Sequence, residues 1–297
     1  GDMARSRLPR PSAADAGAER GSEDTRPRDS ACPAPAAAPV ATGDPVLEGK
    51  IRQLMALRDS GGPVEGLSDF AKEYGDEAFC RRLLRKYDGD MRRSSYQYTK
   101  ALRWRENNRE LLTTRRRRFA GDYRVVGSDA GGHPIAYLCM KNQLITSREA
   151  LDHTLVTMLQ AVDNMPAGVE KAVHIWDCHG MRLSLNLDPT TVLHIAQAQE
   201  GYFAERLHEM IVVDMPRIAV FIKEAVWPFL PARTISKVKF MTSDELRTHL
   251  WRNCEEATAR RICDAMVLNR DPSVTMEERR QTWMCVDPRG NLVPVIP

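Results

Sequence analysis

The chain has 297 residues, 42% of them hydrophobic, which is enough for one domain of roughly 200–250 residues with a buried core. Its 43 basic and 40 acidic residues nearly balance and give no case for nucleic acid as a partner. The seven cysteines contain no CxxC pair, which argues against a disulfide framework or zinc module. No apolar run approaches the ~18 residues that span a bilayer, so we expect a soluble, cytoplasmic protein.

The first 45 residues differ in composition from the rest of the chain. They hold seven of the 18 prolines and eleven alanines, with very few large apolar side chains. Such a segment cannot bury enough surface to offset the entropy lost on ordering. We therefore predict that residues 1–45 are disordered. Seven acidic residues and the absence of an apolar stretch argue against a transit or signal peptide.

Residues 46–118 are predicted to form a helical N-terminal lobe, because apolar residues recur there at helical spacing. The stretch 81–118 carries twelve Arg and two Lys against four acidic residues. It ends in the run Arg115, Arg116, Arg117 and Arg118. This run is typical of a patch that contacts an anionic membrane surface, but also of an exposed helix end or a weak nuclear signal.

From residue 119 onward, short strand-like runs alternate with helical ones, which predicts an α/β fold with largely parallel strands. Capping boxes at Thr146–Glu149 and Thr242–Glu245 each open a predicted helix. Asp188 and Pro189 open another, which we expect to run to about His208. The strands are predicted at 123–126, 134–140, 171–178, 210–214 and 235–241.

A predicted helix at 216–229 has almost no polar face. A helix that is apolar nearly all round is either buried in a core or faces an apolar ligand. Both interpretations stay open from the pattern alone. Its apolar residues include Ile218, Phe221, Ile222, Ala225, Val226 and Phe229.

Enzyme motifs are missing: the sequence holds no GxGxxG after a strand, no P-loop and no GxSxG. Asp177, Cys178 and His179 end a predicted strand, where adjacent side chains point to opposite faces. We therefore expect a strand-ending turn there and no catalytic group. His174 and His179 lack a third ligand at useful spacing, so no metal or other cofactor is expected.

Several short motifs occur in a characteristic order. They are Asp129–Ile135, His174–Gly180, Phe203–Leu207, Asp214–Pro216 and Thr234–Val238. In this order the sequence resembles the CRAL-TRIO family, in particular the secretory-pathway phosphatidylinositol transfer proteins. The resemblance implies a helical lobe, then a CRAL-TRIO domain at 119–250 with a mostly parallel sheet, a lipid cavity and a gate helix at 216–229. Residues 251–297 would be a C-terminal extension packing on that domain.

The resemblance also implies a headgroup site. Arg85, Glu205, Thr234 and Lys237 match the residues that hold phosphatidylinositol in family members. Lys237 and Thr234 would bind the phosphodiester, and Glu205, braced by Arg85, would accept from inositol hydroxyls. Alternatively, Arg85 and Glu205 form a structural bridge between the two lobes. His174 and Ala172 replace the small hydroxyl residues that help hold choline in dual-specificity members, which leaves phosphatidylcholine binding open.

The function expected from this resemblance is non-enzymatic. It is binding and transfer, or presentation, of a single phospholipid, most simply phosphatidylinositol, by a cytoplasmic protein in transient contact with anionic membranes. One alternative is a carrier for a tocopherol, retinoid or sterol. Another is a module with a degenerate pocket that docks on membranes or a small GTPase through its basic lobe. An α/β hydrolase is a distant fourth, because no nucleophile elbow exists.

Overall fold

The computed structural model divides the chain into two units, Gly1–Thr42 and Gly43–Pro297, and describes residues of the second. The predicted disordered segment thus lies outside the described residues, except for Asp44 and Pro45. None of the described helices is long and apolar enough to cross a bilayer. The structure describes residues 44–60, 64–115, 121–144, 146, 150–186, 188–217, 224, 226–289 and 291–294. Of Val286, Leu292 and Pro294 it describes only the backbone.

The described part of the N-terminal lobe is helical, as predicted. Asp44, Asp76 and Asp90 each accept a backbone N–H in the first turn of the helix that follows. The apolar faces of these helices share a core that includes Leu54, Phe79 and Tyr98. The helices are α1 (Pro45–Asp59), α2 (Asp69–Glu73), α3 (Glu77–Lys86), α4 (Met91–Asn107) and α5 (Arg109–Thr114).

The second lobe is built on a five-stranded sheet whose spatial order follows the chain. The first two strands form an antiparallel hairpin, and each later pair is parallel. The mostly parallel sheet of the α/β prediction is therefore confirmed. The strands are β1 (Tyr123–Ser128), β2 (Pro134–Cys139), β3 (Ala172–Asp177), β4 (Leu207–Val213) and β5 (Val238–Met241).

Helices cover the sheet on both faces. On one face, Ile175 and Ile211 pack against Leu246, Ile262 and Met266 from two C-terminal helices. On the other face, the helix at Leu151–Asp163 packs against β1 and β2. Other segments of the chain face β3, β4 and β5 on that side. The helices of this lobe are α6 (Leu151–Asp163), α7 (Leu183–Asn186), α8 (Pro189–Gly201), α9 (Ala232–Ile235), α10 (Ser243–Asn253), α11 (Glu256–Arg270) and α12 (Met276–Gln281).

Beyond α12 the chain forms a small hairpin of β6 (Met284–Val286) and β7 (Leu292–Pro294). Strand β6 contacts β1, and Trp283 just before it is 6% exposed. The C-terminal hairpin therefore packs against the edge strand β1 of the five-stranded sheet.

Several predicted boundaries are wrong, and one of them is the start of β4, which lies at Leu207 and not at residue 210. Helix α8 ends at Gly201, and a turn follows in which Glu205 lies in the left-handed region at φ 61°. Residues 147–149 of the predicted capping box lie outside the described residues, and α6 is described from Leu151 onward. Strand β5 begins at Val238, because α9 takes up the residues after Pro231.

Candidate functional site

An apolar cavity lies on the face of the sheet that α6 leaves uncovered. It holds about 950 Å³ of space between atoms, including the open solvent at its mouth. Among the described residues that line it, no side chain is charged, and Asn186, Gln199 and Thr234 supply its amide and hydroxyl groups. The cavity can therefore take an apolar ligand without desolvating a charge.

Strand alternation supplies the floor of the cavity. Trp176, Val212 and Phe240 pair directly with one another across β3, β4 and β5, so their side chains stand on the same face. All three line the cavity. Ile175 and Ile211 alternate with them and point into the core on the opposite face. Because side chains alternate along these strands, one face of the sheet, with Ile175 and Ile211, packs in the core. The other face, with Trp176, Val212 and Phe240, lines the cavity and is called the ligand face below.

The wall opposite the sheet comes from α8 and the segment after residue 225. Val192, Ile195, Ala196 and Gln199 line the cavity from α8, at the spacing that puts residues on one side of a helix. Val226, Trp227 and Leu230 close the cavity from the second segment. Trp227 and Phe240 approach ring to ring, with centroids 5.9 Å apart, and so join this wall to the floor.

One polar cluster connects the cavity to the helical lobe. The Glu200 carboxylate accepts hydrogen bonds from Lys86 of α3 and from the Thr234 hydroxyl. Lys86 also donates to the Glu200 carbonyl. Thr234 is a lining residue, so this cluster places a carboxylate and an ammonium group next to an otherwise apolar space.

Each predicted headgroup residue has a partner of its own. Arg85 is half-exposed and lies 3.2 Å from the Glu170 carboxylate, which Arg82 also binds at 3.1 Å. The Glu205 carboxylate is buried and lies 2.8 Å from Arg233, an ion pair without the alignment of a hydrogen bond. The predicted brace between Arg85 and Glu205 is thus replaced by two separate ion pairs.

Lys237 and Thr234 face different spaces. Lys237 donates to the Leu207 carbonyl at 2.8 Å and lines a second, polar cavity, whereas Thr234 lines the apolar one. Burial lowers the pKa of Lys237, and the nearby Glu205 carboxylate opposes that shift. Glu205 and Lys237 are thus within electrostatic reach of each other. The structure brings these two together, but it places Arg85 on Glu170.

Of the six predicted gate or acyl-cavity residues, Val226 is buried and lines the cavity. Phe229 is 67% exposed and lies outside the lining. Ile218, Phe221, Ile222 and Ala225 lie outside the described residues, as do Arg116, Arg117 and Arg118 of the basic run. Arg115 ends α5 at φ 52° and pairs with Asp163.

The Asp177-Cys178-His179 sequence forms a structural turn. Burial raises the pKa of the Cys178 thiol to about 12, so it stays protonated at neutral pH. The Asp177 carboxylate is fully buried, and Arg270 holds it through two hydrogen bonds of 2.8 and 2.9 Å. Sequence reasoning missed Arg270, because nothing in the pattern of α11 indicates a partner 93 residues upstream.

These features define a class of protein: an α/β domain with a helical lobe and an uncharged apolar cavity between its sheet and one helix. The sequence model of the CRAL/TRIO domain matches residues 122–258 of this chain. Among solved structures, the chain is similar to the crystal structure of Sfh5, with a TM-score of 0.53 and 10% identity. That similarity covers 66% of this chain and 78% of the Sfh5 chain, and at this identity it shows the fold.

The comparison with curated proteins gave no match. The family match agrees with the resemblance drawn from the motifs, and it supports lipid binding as the general function. The particular lipid is a separate question.

Proposed function

We propose that this protein binds a single phospholipid, with phosphatidylinositol favoured, and transfers or presents it without chemical change. The observation that carries the proposal is the uncharged cavity between β3–β5 and α8. Burial of an acyl chain is worth about 0.8 kcal/mol per methylene, or about 12 kcal/mol for a chain of ~16 carbons. A carrier must offer that chain a space free of charged side chains, and the described part of this cavity's lining meets that requirement.

The groups around Thr234 and Lys237 support an anionic headgroup. Thr234 has a hydroxyl at the apolar cavity, whereas the partly desolvated ammonium group of Lys237 lines the polar cavity and must leave the Leu207 carbonyl to reach a headgroup. Glu205 can accept hydrogen bonds from inositol hydroxyls once the half-exposed Arg233 moves away. In this proposal Arg85 keeps its pair with Glu170 and fixes the adjoining lobe.

The surface at the cavity mouth supports transient contact with a membrane. Phe229 and Phe240 are both exposed, and Phe240 also lines the cavity. The side chain of Arg233, four residues after Phe229 in the chain, is about half exposed. Apolar side chains with a cation beside them suit the interface of an anionic membrane. We therefore place the protein at the cytoplasmic face of membranes as a peripheral protein.

Headgroup recognition can be tested by transfer of labelled phosphatidylinositol between vesicles. The double variant Glu205→Ala with Lys237→Ala should lower the transfer rate at least tenfold, because it removes both charged headgroup contacts. Lys239→Ala is a matched control, since Lys239 lies on the same strand but pairs with Glu209. It should transfer at the wild-type rate.

The same experiment separates the alternatives. Unchanged transfer by the double variant, with loss on neutralising Arg115 and the following arginines, would favour the membrane- or GTPase-docking module. Absence of phosphatidylinositol transfer by the wild type, together with uptake of a tocopherol, retinoid or sterol, would favour the small-molecule carrier.

A further inference from the structure

Three side chains with metal-ligating atoms lie together at the end of the sheet where β2 and β4 begin. Asp129 follows β1, His133 precedes β2, and His208 is the second residue of β4. One ligand atom from each of the three lies within 4.8 Å of the others. This cluster is at the opposite end of the strands from Asp177 and outside the lining of the apolar cavity.

The Asp129 carboxylate is already fixed in place. Its Oδ1 accepts hydrogen bonds from the backbone N–H groups of Gly131 at 2.9 Å and His133 at 2.8 Å. Its Oδ2 lies 2.9 Å from Nδ1 of His133. Two ligands of a tetrahedral zinc ion at about 2.1 Å from the metal stand about 3.4 Å apart. A small increase in the distance between Oδ2 of Asp129 and Nδ1 of His133 therefore makes room for an ion in place of the proton that they share.

His208 is the adjustable member of the cluster. Its ring stacks on that of His133, with centroids 3.8 Å apart and 14° between the planes. Lone pairs of parallel rings lie in parallel planes, so the His208 ring must turn to share an ion with His133. The side chain is exposed and has room to turn.

The charges around the cluster favour a cation. The groups that face His208 are the carboxylates of Asp129 and Glu209, the His133 ring and the ammonium of Lys171. Because Glu209 is already paired with Lys239 and His249, Asp129 is the carboxylate that attracts a positive ion to the cluster.

We propose that Asp129, His133 and His208 form a binding site for one divalent transition-metal ion of the zinc type, with water completing the coordination. Two imidazoles and one carboxylate suit zinc, nickel or copper rather than calcium or magnesium, which prefer all-oxygen ligand sets. The ion would tie the β1–β2 turn to the start of β4. The site goes beyond the sequence prediction, which looked for ligands around His174 and His179.

Isothermal titration of the chelator-treated full chain with zinc chloride tests the site. Wild type should bind one equivalent, and His208→Ala should weaken this binding at least tenfold. Asp129→Asn should do the same, and it keeps an oxygen for the Gly131 and His133 amides, so the turn survives. The matched control is His194→Ala, which removes an exposed histidine of α8 and should bind like wild type.

Thermal unfolding gives a second readout on the same proteins. Zinc should raise the Tm of wild type and of His194→Ala, because an ion that binds the folded state stabilises it. It should leave the Tm of His208→Ala unchanged. Equal zinc affinity in wild type and His208→Ala would mean an adventitious ion only, and it would overturn the proposal, as would the absence of binding to wild type.

Discussion

His174 lies on the ligand face of the sheet, but its side chain is buried and takes part in packing and hydrogen bonding within the fold. It is 4% exposed in the middle of β3, and its Nδ1 is hydrogen-bonded to the Tyr123 hydroxyl. Burial lowers the pKa of His174 from 6.5 to about 4, so the folded protein keeps the ring neutral in mildly acidic solution. The unfolded chain protonates the same ring near pH 6.5.

This difference predicts a loss of stability in acid. Between pH 6.5 and about 4, the unfolded state binds a proton that the folded state does not, so the free energy of unfolding falls as the pH falls. By pH 5 the share due to His174 should be about 2 kcal/mol, from 1.36 kcal/mol per pKa unit. Urea unfolding at pH 7.5 and 5.0 should show this loss in wild type and a smaller one in His174→Gln. His194→Gln, at an exposed site, should behave like wild type, and an equal loss in all three proteins would contradict the account.

At the scale of elements, Arg270 joins the ends of three of them. From the last position of α11 it binds Asp177 at the end of β3 and Asp214 just after β4, the latter at 2.7 Å. Asp214 also accepts from the Ser243 backbone at the start of α10. Asp214 has φ 47° and precedes Met215 and Pro216, where the predicted gate helix begins. The C-terminal extension thus fixes the point from which that segment departs.

Replacing Arg270 should therefore destabilise the fold. Arg270→Ala leaves the fully buried Asp177 carboxylate without its cation, and breaking a buried pair costs about 3 kcal/mol. The measurement is the free energy of unfolding in urea at pH 7.5. Arg260→Ala is the matched control on the same helix, because its pair with Glu256 is exposed and should be worth less than about 0.5 kcal/mol. A loss for Arg270→Ala no greater than that of the control would show that the buried pair does not hold these elements together.

The sequence predicts the elements better than it predicts their ends and contacts. Alternation in β3, β4 and β5 indicates the sheet, and the cap at Asp188 indicates the start of α8. The turn after α8 contains Glu205 at a positive φ, which leaves no signal in the side-chain pattern. The pairs of Arg85 with Glu170 and of Arg270 with Asp177 depend on how distant elements pack. Local periodicity carries no information on such contacts.

At the scale of the whole molecule, the exposed aromatic surface beside the cavity should govern membrane association. Phe229→Ala should weaken binding to vesicles containing phosphatidylinositol about tenfold, because burial of a phenylalanine is worth about 1.5–3 kcal/mol. Tyr96→Ala is a suitable control, since Tyr96 is also 67% exposed but lies in the helical lobe. Vesicle flotation measures both variants. Equal binding by both would argue that the membrane approaches another surface.

The central claim is that the cavity between the sheet and α8 holds one lipid molecule. Native mass spectrometry of the purified full chain, followed by lipid extraction, tests it most directly. Wild type should carry one phospholipid per chain, and Ala196→Trp, which fills the cavity from α8, should lose most of it. Gln197→Trp, at the exposed neighbouring position, should retain it. Recovery of no lipid from wild type, or equal lipid content in Ala196→Trp and Gln197→Trp, would contradict the claim.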